Sequence, residues 1–128
     1  MLEEEFQQLE QDGIFIAVSA GNSFATYNSP GLNYPAASSY VVPVMSVDSN
    51  GNFSGTSQRH SRAIAAPGVG ITSTVPDYKG NNNGIGDDFM SASGTSMASP
   101  YIAGSSVLVR EAMEIAGTAN ITQDMIYD

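Results

Sequence analysis

Hydrophobic residues recur along this chain at two spacings that alternate with each other. Residues 2–9 carry apolar side chains at i, i+4 and i+7, the spacing of a short amphipathic helix. A continuous apolar run with β-branched residues follows at 14–19, as in a strand buried on both faces, and 41–47 predicts a second strand. A longer helical pattern covers 95–113. Helix and strand patterns that alternate in this way predict an α/β fold with a parallel sheet.

Weaker signals define the remaining segments. Pro43 interrupts the second strand, which predicts an edge position or a bulge. Short strands are predicted at 63–66 and 71–75, and a short helix in the tail at 120–128. The stretch 76–91 is rich in Asn, Gly and Asp and predicts a loop.

The long helix has apolar residues on one side. The residues expected to form that apolar face are Ile102, Val107, Leu108 and Met113. Ala103 and Gly104 are small, so we expect the helix to lie close to the sheet at those positions.

Composition narrows the class of protein. The chain has 128 residues, enough for one domain, and 41% of them are hydrophobic. No apolar run approaches the length of a membrane span, and the first residues lack the pattern of a signal peptide. Cysteine is absent, which excludes disulfides and thiolate zinc sites. The net charge of −9 argues against a nucleic-acid partner.

The candidate chemistry lies where the long helix begins. Ser96 falls in the first turn of that helix, two residues after Gly94. Free N–H groups and the helix dipole favour negative charge there, and a serine attacking a carbonyl creates such a charge. A Thr-Ser pair alone is more often an ordinary helix cap. The longer string GTSMASP at 94–100 is far more specific.

That string resembles the nucleophile motif of the subtilisin-like serine peptidases, the subtilases. Four further segments are similar to this family in the same order, namely IFIAVSAGN at 14–22, NYPA at 33–36, VVPVMSVD at 41–48 and AAPGV at 65–69. The similarity spans about residues 2–117. It implies an α/β, subtilisin-like three-layer sandwich with a mostly parallel sheet, here incomplete.

The resemblance also implies roles for individual residues. Ser96 matches the nucleophile, and Asn22 matches the side-chain donor of the oxyanion hole. The residues implied to line the pocket for the substrate residue before the cut bond are Ser19, Ala20, Gly21 and Asn33. Small side chains there leave room for a large apolar or aromatic residue. The implied reaction is hydrolysis of a polypeptide, with no cofactor needed for the chemistry.

The catalytic Asp and His of the family have no counterpart in this chain. The family places both before the oxyanion asparagine, whereas His60 follows it, so we expect His60 to be a surface residue. A triad of His60, Asp87 or Asp88, and Ser96 in the chymotrypsin order lacks that family's sequence context and enough strands. Residues 1–128 are therefore interpreted as the C-terminal portion of a peptidase domain, inactive without the upstream half as its partner.

Two rival functions stay open at this point. One is a non-catalytic remnant or binding module that keeps the cleft without the base. The other, an α/β-hydrolase esterase, needs a histidine after the serine, and 97–128 contains none.

Three expectations concern metals, location and stability. The family often binds structural calcium, partly through carbonyls near the Tyr-Pro-Ala segment. The side chains that could add oxygen ligands are Asp48, Asp77, Asp87 and Asp88, but no string matches a calcium loop, so no metal ligand is assigned. Family members are commonly secreted, which implies an extracellular location. A parallel sheet without half of its cover predicts a marginal, aggregation-prone chain.

Overall fold

The structure, a computed structural model, describes residues 2–128 and has mixed α/β architecture. In chain order the elements are α1 (Glu3–Gln11), β1 (Ala17–Ser19), α2 (Phe24–Tyr27), β2 (Val42–Val47), β3 (Ile64–Pro67), β4 (Ile71–Thr74), a 3₁₀ turn (Asp77–Lys79), β5 (Phe89–Ala92), α3 (Thr95–Ile115) and α4 (Gln123–Tyr127). The predicted α/β class is confirmed, as are both terminal helices and the long helix.

The three parallel strands form one sheet in the order β1-β2-β3. Val44 in the central strand is fully buried and lies in the core with Ala66 from β3 and Ala98 from α3. Ile102, one turn after Ala98 on α3, packs against the same cluster. The sheet and α3 therefore meet at the first turns of the helix, next to the point where β1 ends.

Pro43 lies in the central strand, so its predicted edge position is wrong. Val42 donates its N–H to Ile16 on the β1 side, and main-chain directions alternate along a strand. The nitrogen at position 43 therefore faces β3, where pairing begins only at Val44 with Ile64. No ladder hydrogen bond is lost, which is why proline is tolerated here.

The apolar run at 14–19 forms a shorter and less buried strand than expected. Pairing with β2 starts at Ala17, opposite Val42, and all three residues of β1 are half-buried. Ile14 is 48% exposed. The prediction of a strand covered on both faces is therefore wrong within the part of the chain described.

The segment at 76–91 contains more order than the predicted loop. Phe89–Ala92 forms β5, which pairs antiparallel with β4 from Ile71 opposite Ala92 to Thr74 opposite Phe89. The strand is exposed over most of its length, so burial does not leave the usual hydrophobic pattern in the sequence.

The long helix faces the sheet differently from the prediction. Its buried residues are Thr95, Ala98 and Ser106. Ala103 and Gly104 are exposed, and a side-chain carbon added at Gly104 would meet nothing within 4 Å. The expected close approach of the helix to the sheet at these two positions is therefore wrong.

The last helix fastens the start of the parallel sheet to the rest of the molecule. Gln123 is buried, accepts a hydrogen bond from the Ile16 N–H (2.9 Å) and donates one to the Tyr40 carbonyl (3.0 Å). Among residues 2–128, no helix combines the length and apolar character needed to cross a bilayer.

Candidate active site

Ser96 is the second residue of α3 and projects from a tightly held turn. Gly94 precedes the helix with φ +148°, a region that disfavours residues with a side chain. Its N–H donates to the Gly68 carbonyl at 2.7 Å. Thr95 is fully buried, whereas Ser96 is exposed. The turn thus anchors one side chain inside the protein and presents the next one to solvent.

Asn22 contacts the residue immediately before Ser96. The Asn22 Oδ1 accepts hydrogen bonds from the Thr95 N–H (3.0 Å) and the Thr95 hydroxyl (3.3 Å). A main-chain N–H can only donate, so the atom facing Thr95 must be the amide oxygen. The NH₂ group of Asn22 is therefore the end of the side chain that Thr95 leaves available as a donor.

Thr95 also holds the turn that follows β1. Its hydroxyl oxygen accepts the Gly21 N–H at 3.3 Å. One buried threonine therefore connects the end of a parallel strand, the Asn22 amide and the start of α3. Gly21 and Thr95, which are 74 positions apart in the sequence, are thereby held in direct contact.

Two glycines allow the close backbone approach behind this junction. A side-chain carbon at Gly68 would collide with the Ser46 side chain and would lie 2.7 Å from the Gly94 carbonyl oxygen. One at Gly94 would lie 3.4 Å from both polar atoms of the Asn22 amide. Gly68, directly after the last residue of β3, therefore supports the Ser96 turn from behind.

Two of the predicted site residues, Ser96 and Asn33, line separate cavities. Ser96 lines a cavity of about 470 Å³ together with Ile71, Thr72, Ser73, Met97, Pro100 and Tyr101. Asn33 lines another of about 470 Å³ together with Tyr27, Ser29, Pro30, Gly31, Leu32 and Gln58. Asn22 lines neither cavity.

The predicted pocket segment Ser19–Gly21 begins at the last residue of β1 and continues past the C-terminal end of that strand. Ala20 is 2% exposed, and its N–H donates to the Val44 carbonyl at 2.9 Å. The Gly21 carbonyl accepts the Gln58 N–H at 2.8 Å. Both main-chain groups of Gly21 are thus used within the chain, which leaves it to contribute surface.

His60 lies in the connection between β2 and β3. It is exposed, and its Nδ1 accepts the Arg62 N–H at 3.1 Å. Asp88 is buried beneath the 77–88 loop, where it accepts the Asn81 N–H at 3.1 Å. The structure therefore agrees with the expectation that His60 is a surface residue.

The Arg62 guanidinium binds two carbonyl oxygens near the Tyr-Pro-Ala segment. Arg62 Nη2 donates to the carbonyl oxygens of Ala36 (2.8 Å) and Ser38 (2.6 Å). No cluster of three or more His, Cys, Asp or Glu side chains within residues 2–128 is arranged to hold a metal ion.

Comparison with known proteins identifies the family. The sequence model of the Subtilase family matches residues 2–127. This chain belongs to the subtilase family. The α/β-hydrolase alternative is thereby excluded.

Individual relatives agree with this assignment. The subtilase chain is 38% identical to the thermostable alkaline protease of Halalkalibacterium halodurans over 110 residues, which are 85% of this chain and 27% of that protein. It is 33% identical to subtilisin DY of Bacillus licheniformis over 109 residues, or 84% of this chain and 36% of that protein. The self-cleaved protease domain of PatA superposes with a TM-score of 0.73 at 26% identity, over 91% of this chain and 40% of that one. This subtilase chain therefore spans about a third of the length of the relatives it matches.

Sequence reasoning missed two residues of this candidate site. Thr95 stands out in the sequence only as part of the nucleophile string, although its burial makes it the link between Asn22 and the Ser96 turn. Gln58 lines the Asn33 cavity and pairs with Gly21, but it lies in a polar loop where no periodicity points to it. Long-range contacts of this kind leave no local signal.

Proposed function

We propose that this chain supplies the nucleophile and the oxyanion hole of a serine endopeptidase. The observation that carries the proposal is the hydrogen-bonded pair of Asn22 and Thr95. It sets an oriented carboxamide beside the helix turn from which Ser96 projects. Donors held in place before the reaction are the main source of stabilisation for a tetrahedral intermediate.

The proposed reaction begins with attack of the Ser96 Oγ on the carbonyl carbon of a peptide bond. A general base takes the hydroxyl proton and later returns it to the leaving amine. The carbonyl oxygen becomes an oxyanion, which accepts hydrogen bonds from the Asn22 NH₂ and the Ser96 N–H. The positive end of the α3 dipole favours the same charge. Water then releases the acyl group from Ser96.

The base is proposed to come from outside residues 1–128. His60 is tied to Arg62 in the loop between β2 and β3, so it is not offered for this role. The chain is accordingly proposed to be the C-terminal portion of a peptidase domain whose Asp- and His-bearing portion lies upstream. The Ser96 cavity, with Pro100 and the 47% exposed Tyr101 in its wall, is the proposed place where that portion packs.

Polypeptides are the proposed substrates. The segment Ser19, Ala20 and Gly21 borders the oxyanion site, and its small side chains allow an extended peptide to approach. Asn33 is proposed to form the floor of the adjoining pocket, since it lines the cavity that Gln58 connects to Gly21.

The proposed chemistry needs no cofactor, because nucleophile, base and oxyanion donors are all protein groups. We assign no calcium ligand. The Ala36 and Ser38 carbonyl oxygens accept hydrogen bonds from Arg62, whose guanidinium supplies the positive charge there in place of a metal ion. An extracellular location is proposed from the alkaline proteases and subtilisins to which the chain is similar.

Labelling with a fluorophosphonate, which reacts only with an activated serine, tests the proposal. The chain alone should label slowly. The chain assembled with an upstream Asp- and His-bearing portion should label rapidly, with one label per chain. Ser96→Ala should abolish labelling, while Ser93→Ala should leave it intact. Asn22→Leu should slow turnover, and in subtilisin, a relative, loss of this donor costs about 10²–10³. Rapid labelling of the chain alone, or of Ser96→Ala, would contradict the assignment.

A non-catalytic peptide-binding module is the second candidate. The engagement of His60 with Arg62 favours it, since the chain then holds a cleft and a serine without their base. The same assembled preparation separates the two candidates. Peptide binding without labelling or hydrolysis supports the binding module.

A further inference from the structure

The cavity lined by Asn33 contains a polar group that the proposed reaction does not use. Gln58 forms part of its wall, and only 7% of Gln58 is exposed. Its amide oxygen is buried and meets no donor among residues 2–128. A buried acceptor without a donor is unfavourable, and because this oxygen has almost no accessible surface, the carboxamide must turn toward the cavity before an occupant can supply that donor.

Gln58 is held in a defined place relative to Ser96. Its N–H donates to the Gly21 carbonyl at 2.8 Å, and its Cγ would lie 3.4 Å from a side-chain carbon at Gly21. Gly21 in turn donates to the Thr95 hydroxyl, and Thr95 directly precedes Ser96. Two hydrogen bonds therefore connect the wall of this cavity with the turn that presents the serine.

The surroundings of Gln58 select the kind of occupant. The cavity of about 470 Å³ is large enough for a long side chain, and its lining residues carry no charged group. A charged occupant would find no counter-ion there. The Gln58 carboxamide can exchange its oxygen and nitrogen by rotation about its last bond, so it can accept or donate. An occupant with both functions, another carboxamide, matches either orientation.

We propose that Gln58 is a specificity-determining residue that hydrogen-bonds the side chain of the substrate residue before the cut bond, and that it favours Gln over the isosteric Met. The inference rests on the proposed function, because the cavity is assigned to that substrate residue through Gly21 and Thr95. It replaces the expected preference for a large apolar residue with a preference for a neutral amide.

Equilibrium binding of two product-like peptides, Ala-Ala-Gln and Ala-Ala-Met, tests the proposal. Binding to the ¹⁵N-labelled chain, assembled with the upstream Asp- and His-bearing portion, is followed in ¹H–¹⁵N spectra, which also report whether each variant is folded. The Gln peptide should bind about fivefold more tightly, the effect of one added hydrogen bond. The side-chain NH₂ signals of Gln58 should shift with that peptide alone.

Two variants separate recognition from packing. Gln58→Met keeps the volume and should reduce the preference to within twofold. Gln58→Asn keeps an uncharged carboxamide and should retain part of the preference, which decides the matter if Gln58→Met fails to fold. Equal binding of both peptides, binding of neither, or a preference that survives in Gln58→Met would overturn the proposal.

Failure of this inference and failure of the proposed function give different results. Ser96→Ala should keep the full preference for the Gln peptide, because no bond to the serine is formed at equilibrium. A retained preference without fluorophosphonate labelling of the assembled enzyme would overturn the endopeptidase and leave Gln58 as a recognition residue. Labelling without any preference would do the reverse.

Discussion

The two ends of α3 differ in how far the rest of the chain covers them. At the first turns, Thr95 and Ala98 are fully buried against the parallel sheet and the turn after β1. In the second half, Val107, Leu108 and Ile115 are 63%, 68% and 82% exposed although all three are apolar. The chain therefore completes the packing behind the Ser96 turn and leaves these three apolar side chains in the second half of the same helix exposed.

This difference shows which interactions around Ser96 and Asn22 are made by the chain itself. The hydrogen bonds that orient Asn22 are made within the chain, whereas Val107, Leu108 and Ile115 stay mostly exposed. Burial of one Leu or Ile side chain is worth about 1.5–3 kcal/mol, so a helix with this surface gains stability from a covering partner. Contiguous exposed apolar surface commonly marks an interaction site.

The largest expected effect concerns association of the isolated chain. Since apolar side chains in the second half of α3 are exposed, we expect a concentration-dependent, broad thermal transition and self-association in sedimentation velocity experiments. Leu108→Lys should reduce the association without lowering the stability by more than about 0.5 kcal/mol. A sharp, concentration-independent melt of a dilute monomer would remove the contrast between the two ends.

A change behind the Ser96 turn should cost the most stability. Gly68→Ala places a carbon against Ser46 and the Gly94 carbonyl, and overpacking of this kind costs about 1–3 kcal/mol. We expect the upper end of that range in urea unfolding, because one of the two neighbours is backbone. Gly55→Ala is the matched control, since nothing lies within 4 Å of its added carbon. Equal losses in the two variants would show that the junction is not tightly packed.

Removal of the Thr95 hydroxyl should have the next largest effect. Thr95→Val keeps the shape but leaves the Gly21 N–H without its acceptor and the Asn22 oxygen with one donor fewer. The expected loss is about 1–3 kcal/mol in the free energy of unfolding. Thr95→Ser retains the hydroxyl and should lose less. A smaller loss in Thr95→Val than in Thr95→Ser would contradict the bridging role.

On the outer half of α3, one substitution should raise the stability. Gly104 is helical and exposed, so Gly104→Ala lowers the entropy of the unfolded chain without meeting a neighbour. The expected gain is about 0.5–1 kcal/mol in the same urea experiment. A loss of stability would mean that this face packs closely against something after all.

The smallest expected effect lies far from the helix, in the turn between β2 and β3. Hydrogen bonds from the Asn52 main chain and side chain, and from the Asn50 N–H, hold the pKa of the Asp48 carboxyl below its ordinary value. The ionised form is thus favoured by folding. The contribution of the Asp48 carboxylate to folding stability is present above the ordinary pKa and disappears as the pH falls through the pKa of the folded state.

An NMR titration of the Asp48 carboxyl measures this directly. Asn52→Ala removes the side-chain hydrogen bond and should move the midpoint upward toward the ordinary value. A midpoint at or above the ordinary value in the unchanged chain would show that the turn adds nothing. The Asp48 turn would then provide no small reference effect with which the effects at the start of α3 could be compared.

Local patterns were sufficient for much of the fold. The i, i+4, i+7 spacing at 2–9, the long helix and the strand at 41–47 were all predicted, because each depends on residues close in sequence. Two of the errors share one cause. Pro43 and Gly104 were assigned from their residue types, but their tolerance depends on which neighbour lies beside them, and that is set by distant segments.

By itself, the sequence determined the subtilase family, the serine in the first turn of α3 and the strand that precedes Asn22. Those features are encoded in short contiguous strings. Only the tertiary structure revealed that the Thr95 hydroxyl joins Gly21 and Asn22, and that Gln58 lines the Asn33 cavity. The reason is physical: a hydrogen bond between groups 74 positions apart depends on how a helix packs on a sheet, and no periodicity along the chain records that packing.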